Sequence, residues 1–88
     1  MKKNHSNVLT VFTMETCPNC PAVKKKCEEI AKELKLDFKV IDVKKDFLEA
    51  LTYQVMETPS IALNDETIFF SDNPSKAKII QEIKAHLN

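Results

Sequence analysis

The sequence predicts an α/β fold of element order βαβαββα, in which three helices pack on a mixed four-stranded sheet. Residues 8–14 form an apolar, β-branched run that is typical of a central strand covered on both faces. A second β-branched run lies at residues 38–43, so the two strands and the helix between them predict a parallel βαβ unit. That helix is indicated by apolar residues recurring on one face, namely Val23, Cys27, Ile30, Ala31 and Leu34.

The second half of the chain supplies a short helix, a hairpin and a last helix. Residues 45–54 predict the short helix, with Phe47, Leu48 and Leu51 as its apolar residues. Residues 60–63 and 67–70 are strand-like runs on either side of a short loop, and they predict an antiparallel hairpin. Asn73 is expected to cap the last helix and Pro74 to begin it. The buried stripe of that helix is expected to contain Ile79, Ile80, Ile83 and Leu87.

Length and charge exclude several classes of protein. With 88 residues, 13 of them basic and 13 acidic, we expect one domain, residues 1–88, without net charge. No long block of like charge indicates a nucleic-acid partner, and no apolar run approaches the roughly 18 residues of a membrane span. The apolar stretch after the N-terminus is short and contains Thr10 and Thr13, so we expect no targeting segment. These features predict a monomer located in the cytoplasm.

Glycine is absent from the chain. Tight turns therefore need other residues that tolerate a left-handed backbone. Asn and Asp adopt this conformation and bond to their own backbone, so two stretches are the expected substitutes. These are Asn64 with Asp65, and the run Asp72, Asn73 and Pro74.

Two cysteines, Cys17 and Cys20, stand between the first predicted strand and the first predicted helix. Thiols at this spacing lie close enough to form a small disulfide ring. The thiolate is the attacking species in disulfide exchange, and a cysteine with a pKa of about 8.5 is only slightly ionised at pH 7. If the helix begins around Cys17, the free N–H groups of its first turn favour the anion there. The pattern indicates a thiol–disulfide exchange centre with Cys17 as the nucleophile.

The residues around Cys17 suit this assignment. Cys20 lies one turn further along, on the apolar face of the helix, and is expected to be the resolving thiol. Pro18 fixes φ in the first turn, and Pro21 removes a donor that would reach the Cys17 carbonyl. Pro18 and Asn19 are therefore expected to shape the motif.

Zinc binding and a third redox thiol are alternative uses of the cysteines. Structural zinc sites usually need four ligands, and the candidates beside the pair are Cys27, His5 and His86. These three form no second spaced pair, so we expect no metal site. Cys27 falls on the core-facing stripe, and a small buried side chain is the simpler interpretation.

The segment Cys-Pro-Asn-Cys-Pro-Ala-Val-Lys at residues 17–24 follows a predicted strand, and Tyr53, Val55 and Pro59 have the spacing Y-x-V-x-x-x-P. In these features the chain resembles the small thioredoxin-like and glutaredoxin-like proteins, particularly the short archaeal and anaerobe-type redoxins. The resemblance covers residues 8–87. It implies a thioredoxin fold and a thiol–disulfide oxidoreductase that reduces protein disulfides through Cys17 and Cys20. No cofactor is implied.

The resemblance also implies how substrates bind. Pro59 is expected to be cis and to face the disulfide, and cis bonds are essentially confined to X-Pro. The backbone of Thr58 is expected to pair with an extended substrate segment, and Met56 to contribute to a partly apolar rim. The implied partners are disulfide-containing proteins and a separate reductase.

Some positions depart from the family pattern. Val11 stands where thioredoxins bury an aspartate. The positions that serve glutathione in glutaredoxins are occupied here by Glu15, Asn19, Ser71 and Asp72. A glutathione-dependent glutaredoxin is therefore an alternative that these residues oppose. A metal or iron–sulfur carrier that uses the cysteine pair across a dimer is a second alternative.

Overall fold

The fold is that of a computed structural model, which describes residues 7–53, 57–64, 66–69 and 73–87. The elements follow the predicted order βαβαββα. The strands are β1 (Val8–Thr13), β2 (Asp37–Asp42), β3 (Ser60–Leu63) and β4 (Glu66–Phe69), and the helices are α1 (Cys20–Leu34), α2 (Phe47–Thr52) and α3 (Lys76–Leu87). No helix within these ranges is long and apolar enough to cross a membrane.

β1 lies inside the sheet, whose strand order is β2-β1-β3-β4. It runs parallel to β2, with Val11 opposite Val40, and antiparallel to β3, with Phe12 opposite Ser60. β4 pairs antiparallel with β3. The predicted mixed sheet is thereby confirmed. The carboxyl ends of β1 and β2 and the start of β3 meet at one end of the sheet, where the cysteine segment follows β1.

Each face of the sheet carries its own apolar cluster. Leu9 and Val11 of β1 belong to the cluster beneath α1 and α3, together with Val23, Cys27, Ile30, Ala31, Ile61, Leu63, Phe69, Ile79 and Ile83. Phe12 of the same strand points the opposite way, because successive side chains of a strand alternate between faces. It packs in a smaller cluster with Ile41, Val43, Ala50 and Ala62. β1 is therefore covered on both faces, as its composition predicts.

The first helix begins at Cys20, so the condition of a start around Cys17, on which stabilisation of the Cys17 thiolate by the first turn depended, is not met. A helix starting at Cys17 would hold Pro21 in its interior, where the ring clashes with the carbonyl four residues earlier. A start at Cys20 puts Pro21 in the first turn, where its missing N–H costs nothing. Asn19 precedes the helix, and its side chain makes no capping hydrogen bond. Pro18 consequently lies before the first turn and not within it.

α2 is shorter and less buried than its sequence predicts. It begins at Phe47, whereas the sequence places its start at Lys45. Phe47 is 53% exposed and Leu48 is 78% exposed, and Ala50 is the buried residue of this helix. The described part of the chain therefore leaves most of the apolar side chains of α2 uncovered.

α3 begins at Lys76, two residues later than predicted. The reason is its cap: the hydroxyl of Ser75 accepts the backbone N–H of Lys78 at 3.2 Å. Asn73, the predicted cap, instead accepts a hydrogen bond from the Lys26 ammonium group at 2.9 Å. Ile79 and Ile83 are buried as predicted, Ile80 is half-buried, and Leu87 at the end of the helix is largely exposed.

Two residues other than glycine adopt the left-handed conformation within the described ranges. Lys35 (φ 59°) ends α1, and Asn64 (φ 56°) follows β3. Asn64 confirms the prediction for its turn. Its amide oxygen accepts the N–H of Val8, and its amide nitrogen donates to the side chain of Asn7. The other predicted turn residues, Asp65 and Asp72, lie outside the described residues.

Candidate active site

The cysteine segment links β1 to α1 through a tight turn. The backbone N–H of Cys17 donates to the carbonyl of Met14 at 3.0 Å, which turns the chain back toward the helix. A disulfide joins Cys17 to Cys20, and their Cα atoms are 5.4 Å apart. This separation falls within the range of about 4.4–6.8 Å found in disulfides. The short spacing therefore brings the two sulfur atoms together, as the sequence predicts.

The two sulfur-bearing residues differ in exposure. Cys20 belongs to the inner face of α1 and is only 4% exposed. Cys17 lies before the helix, in the turn, and is half-buried. A disulfide partner approaching from solvent therefore meets Cys17 first.

A pocket of about 290 Å³ opens beside the disulfide. Met14 and Glu15 line it from the turn after β1, and Lys24 lines it from the first turns of α1. Asp42, the last residue of β2, also lines it. Two acidic residues and one basic residue thus line the pocket beside the disulfide.

The carboxylate of Asp42 is held in place by the turn that follows β2. Its Oδ1 atom accepts the backbone N–H of Lys44 at 2.9 Å and that of Lys45 at 3.1 Å. The N–H groups of Lys45 and Lys44 lower the pKa of Asp42 from its ordinary value, because they stabilise the anion. Asp42 is therefore a fixed negative charge at neutral pH.

Two of the expected substrate-binding residues, Thr58 and Pro59, lie at the same end of the sheet. The Thr58-Pro59 peptide bond is cis, which confirms this part of the expectation for Pro59. Pro59 is buried and Thr58 is half-buried. Ser60, which follows them, pairs with Phe12 near the end of β1, so this stretch is brought close to the strand that leads to Cys17. Met56 lies outside the described residues.

Cys27 is buried and lies apart from the Cys17–Cys20 pair. Its side chain is 0% exposed and packs in the cluster beneath α1 and α3. Removal from water raises the pKa of the Cys27 thiol to about 12, and the nearby Lys26 charge offsets only part of this effect. The interpretation as a small buried side chain is confirmed.

Of the remaining zinc candidates, His86 falls within the described residues. No group of three His, Cys, Asp or Glu residues within the described ranges could hold a metal ion. His86 faces Glu66 at 3.5 Å and contacts the carbonyl of Glu82. His5 lies outside the described residues.

Lys24 and Asp42 line the pocket although neither is among the predicted site residues. The sequence and the strand pairing nevertheless contain an indication for each of the two residues. Lys24 lies four residues after Cys20 and so shares a side of α1 with it. Asp42 ends a strand parallel to β1, in register with Thr13, and parallel strands end at the same side of a sheet.

A mixed sheet with a cis proline before β3, and a disulfide at the start of α1 with one accessible cysteine, define a dithiol redox protein of the thioredoxin fold. The sequence comparison agrees, because the thioredoxin domain family matches residues 8–84. The chain belongs to this family. It is 32% identical over 81 residues to the thioredoxin of Methanocaldococcus jannaschii, covering 90% of this chain and 94% of the relative. It is 35% identical over 77 residues to the probable thioredoxin of Methanothermobacter thermautotrophicus, covering 85% and 89%.

Solved structures show the same fold. Thioredoxin 1 from Thermosipho africanus superposes with a TM-score of 0.76 at 26% identity, over 91% of this chain and 93% of that one. A mutant thioredoxin from Halobacterium salinarum reaches a TM-score of 0.81 at 20% identity, over 94% of this chain and 76% of that one. The second likeness concerns the fold alone.

The family and the site together establish the class of reaction. The chain is a thiol–disulfide oxidoreductase with thioredoxin-like protein-disulfide reductase activity, and Cys17 and Cys20 are its redox pair. Thioredoxins act on disulfide-containing proteins and are themselves reduced by a reductase.

Proposed function

We propose that Cys17 attacks the disulfide of a protein substrate and that Cys20 resolves the resulting mixed disulfide. The difference in exposure between the two cysteines supports this order most directly. Cys17 is half-buried beside an open pocket, whereas Cys20 is 4% exposed. An intermolecular attack requires an accessible sulfur atom, while the intramolecular step requires only proximity to the first sulfur.

The proposed reaction conserves atoms and electrons. The thiolate of Cys17 attacks one sulfur of the substrate, the substrate S–S bond breaks, and the other substrate sulfur leaves as a thiolate. The thiolate of Cys20 then attacks the Cys17 sulfur and releases the second substrate sulfur. Two electrons pass to the substrate, whose thiolates take up two protons, and the pair ends as the Cys17–Cys20 disulfide.

Solvent is the proposed acceptor for the proton of Cys20. Val11 occupies the position where thioredoxins bury an aspartate, and it is fully buried among apolar side chains. Asp42 shares the pocket with Cys20, but two backbone N–H groups lower its pKa. A carboxylate with a lowered pKa is a weak base. The open pocket gives water access to this side of the pair.

Thr58, Pro59 and Met56 are the proposed substrate-binding residues. The pairing of Ser60 with Phe12 brings the Thr58-Pro59 peptide to the end of the sheet that carries the cysteine segment, which supports this role. We propose that the backbone of Thr58 pairs with an extended substrate segment. Pro18 and Asn19, which form the turn before α1, would hold Cys17 toward that segment.

We propose that the protein acts as a reductant in its dithiol form. Its partners are disulfide-containing proteins of the cytoplasm and a reductase that restores the dithiol. We propose that it acts as a monomer, since the attack and the resolution both use cysteines of one chain.

Trapping the mixed disulfide tests the roles of the two cysteines. Reduced Cys20→Ser protein is mixed with insulin, a small disulfide-containing protein, and the covalent products are analysed by mass spectrometry after proteolysis. We expect an adduct on Cys17 that persists until dithiothreitol is added, because the resolving thiol is missing. Turnover of insulin by this variant should fall by at least about a hundredfold.

Cys17→Ser is the matched control for this experiment. It removes one sulfur from the same pair, and we expect no adduct because Cys20 is buried. Adducts of equal yield on Cys20 in this control would reverse the proposed roles. Adducts on Cys27 would show that the buried thiol takes part in the exchange.

A further inference from the structure

The pocket beside the disulfide has an unequal charge distribution. Glu15 and Asp42 contribute two carboxylates, and Lys24 contributes one ammonium group. These groups come from three separate elements: the turn after β1, the end of β2 and the body of α1. The pocket therefore carries a formal charge of −1, whereas the whole chain has none.

Within the described part of the chain, none of these three side chains takes part in an ion pair. The ion pairs found there join Lys39 to Glu49, Lys76 to Glu29 and Glu33, and His86 to Glu66. Glu15 and Lys24 take part in none of them. Asp42 forms no ion pair there; the backbone N–H groups of Lys44 and Lys45 fix its position, and the charges of the same two lysines also act on it. The charges of the pocket are therefore open to a ligand.

The position of the pocket relates it to the substrate. Cys17 and Cys20 line it, whereas Thr58 and Pro59 do not, so a substrate side chain that enters the pocket lies across the attacked disulfide from the segment that pairs with Thr58. A volume of about 290 Å³ suits one long side chain and not a folded segment. Met14 lines the pocket beside Glu15, and an apolar wall next to carboxylates suits the aliphatic stem and charged head of a lysine or arginine.

We propose that this pocket is a subsite for a basic side chain, Lys or Arg, next to the attacked disulfide of the protein substrate. The inference rests on the proposed function, because it places the substrate sulfur on Cys17. Asp42 and Glu15 attract the basic group, and the charge of Lys24, which is exposed, offsets part of this attraction. The same charges disfavour glutathione disulfide, whose glutathione halves each carry two carboxylates and one ammonium group.

Three symmetric disulfide-linked peptide dimers test the subsite. They are identical except for lysine, alanine or glutamate next to the cysteine. The second-order rate constant for reduction by pre-reduced protein is measured for each and divided by that for dithiothreitol, which corrects for the reactivity of the peptide itself. At low ionic strength we expect lysine to exceed glutamate by about fivefold, and added salt to reduce the ratio below about twofold.

Variants that each remove one charge test which residues cause the preference for the lysine peptide. Asn at position 42 keeps an amide oxygen for the N–H groups of Lys44 and Lys45, so Asp42→Asn removes the charge and retains the turn. We expect it to lower the lysine-to-glutamate ratio to about twofold or less. Asp37→Asn is the matched control, since Asp37 lies at the opposite end of β2, and it should leave the ratio unchanged. Glu15→Gln, on the exposed turn, provides a second variant that should lower the ratio.

The outcomes separate the subsite from the proposed function. Equal rate constants for all three peptides, or an equal ratio in Asp42→Asn and Asp37→Asn, would overturn the subsite and leave the reductase activity standing. Faster reduction of glutathione disulfide than of the lysine peptide would also overturn it. Failure to reduce even the alanine peptide would overturn both proposals.

Discussion

At the scale of single residues, the surroundings of each sulfur decide what a cysteine of this chain can do. Cys17 lies in a turn beside an open pocket, Cys20 faces inward at the start of α1, and Cys27 is sealed within the core two turns later. Burial opposes ionisation, and the pKa of Cys27 is accordingly raised to about 12. A thiol that stays protonated and out of contact with solvent cannot compete with Cys17 as a nucleophile.

Labelling of the oxidised protein tests this difference. Cys27 is the single free thiol once Cys17 and Cys20 are joined. At pH 8.5 we expect iodoacetamide to modify Cys27 at least about a hundredfold more slowly in the native protein than in urea, because only the unfolded thiol ionises appreciably. Mass spectrometry gives the rates. The reduced native protein is the positive control, in which Cys17 should react readily, and similar rates for Cys27 in both states would contradict the assignment.

At the scale of the elements, the limits of α1 follow from local backbone constraints at both ends. Its start is fixed by Pro21, which is tolerated only in the first turn. Its end is made by Lys35 in the left-handed conformation, where the backbone N–H donates to the carbonyl of Ala31. A residue with a Cβ atom costs about 1 kcal/mol in this conformation relative to glycine. The glycine-free chain accepts this cost at a helix end.

Substitution by glycine should therefore act in opposite directions at two lysines of this helix. We expect Lys35→Gly to raise the free energy of unfolding by about 0.5–1 kcal/mol, because it relieves the steric cost at positive φ. Lys25→Gly, at an exposed position within α1, should lower it by about 1 kcal/mol. Urea unfolding of both variants measures the difference. Destabilisation by both would show that the backbone at Lys35 carries no such cost.

At the scale of the whole molecule, the sheet joins the redox site to the two apolar clusters. β1 contributes to both clusters and leads directly into the cysteine segment. Cys20 sits on the buried face of α1, so closing the disulfide ties the turn after β1 to the packed helix. The redox state of the pair is therefore coupled to the stability of the fold.

The oxidised protein should be more stable than the reduced protein. Closing a four-residue loop removes conformational freedom from the unfolded chain, which amounts to about 2 kcal/mol. Urea unfolding in the presence and absence of dithiothreitol measures the difference in the free energy of unfolding. Cys17→Ser, which cannot form the pair, should unfold identically under both conditions. A wild-type protein that is equally stable in both states would contradict the coupling.

Much of the architecture could be predicted because it is encoded locally. Each of three patterns predicts its conformation from nearby residues alone. They are the apolar run of β1, the helical repeat from Val23 to Leu34 and the two strand-like runs of the hairpin. The starts of α1 and α3 were harder to predict, because at each place two local signals favoured different first residues. At α1, Pro21 is incompatible with a helix that starts at Cys17. At α3, the Ser75 hydroxyl caps the helix, while the Asn73 side chain accepts a hydrogen bond from Lys26. Such competition is decided by which hydrogen bonds the folded chain can complete.

The class of fold and the redox pair could be predicted from local signals, because periodicity and a two-residue gap between cysteines act over short distances. The residues that surround the pair became known only from the folded chain. Asp42 lines the pocket beside the disulfide because β2 lies parallel to β1, and Cys27 is kept out of it because helix packing buries one face of α1. Charge and burial at a site depend on residues that are distant in the chain, and these are brought together only by folding.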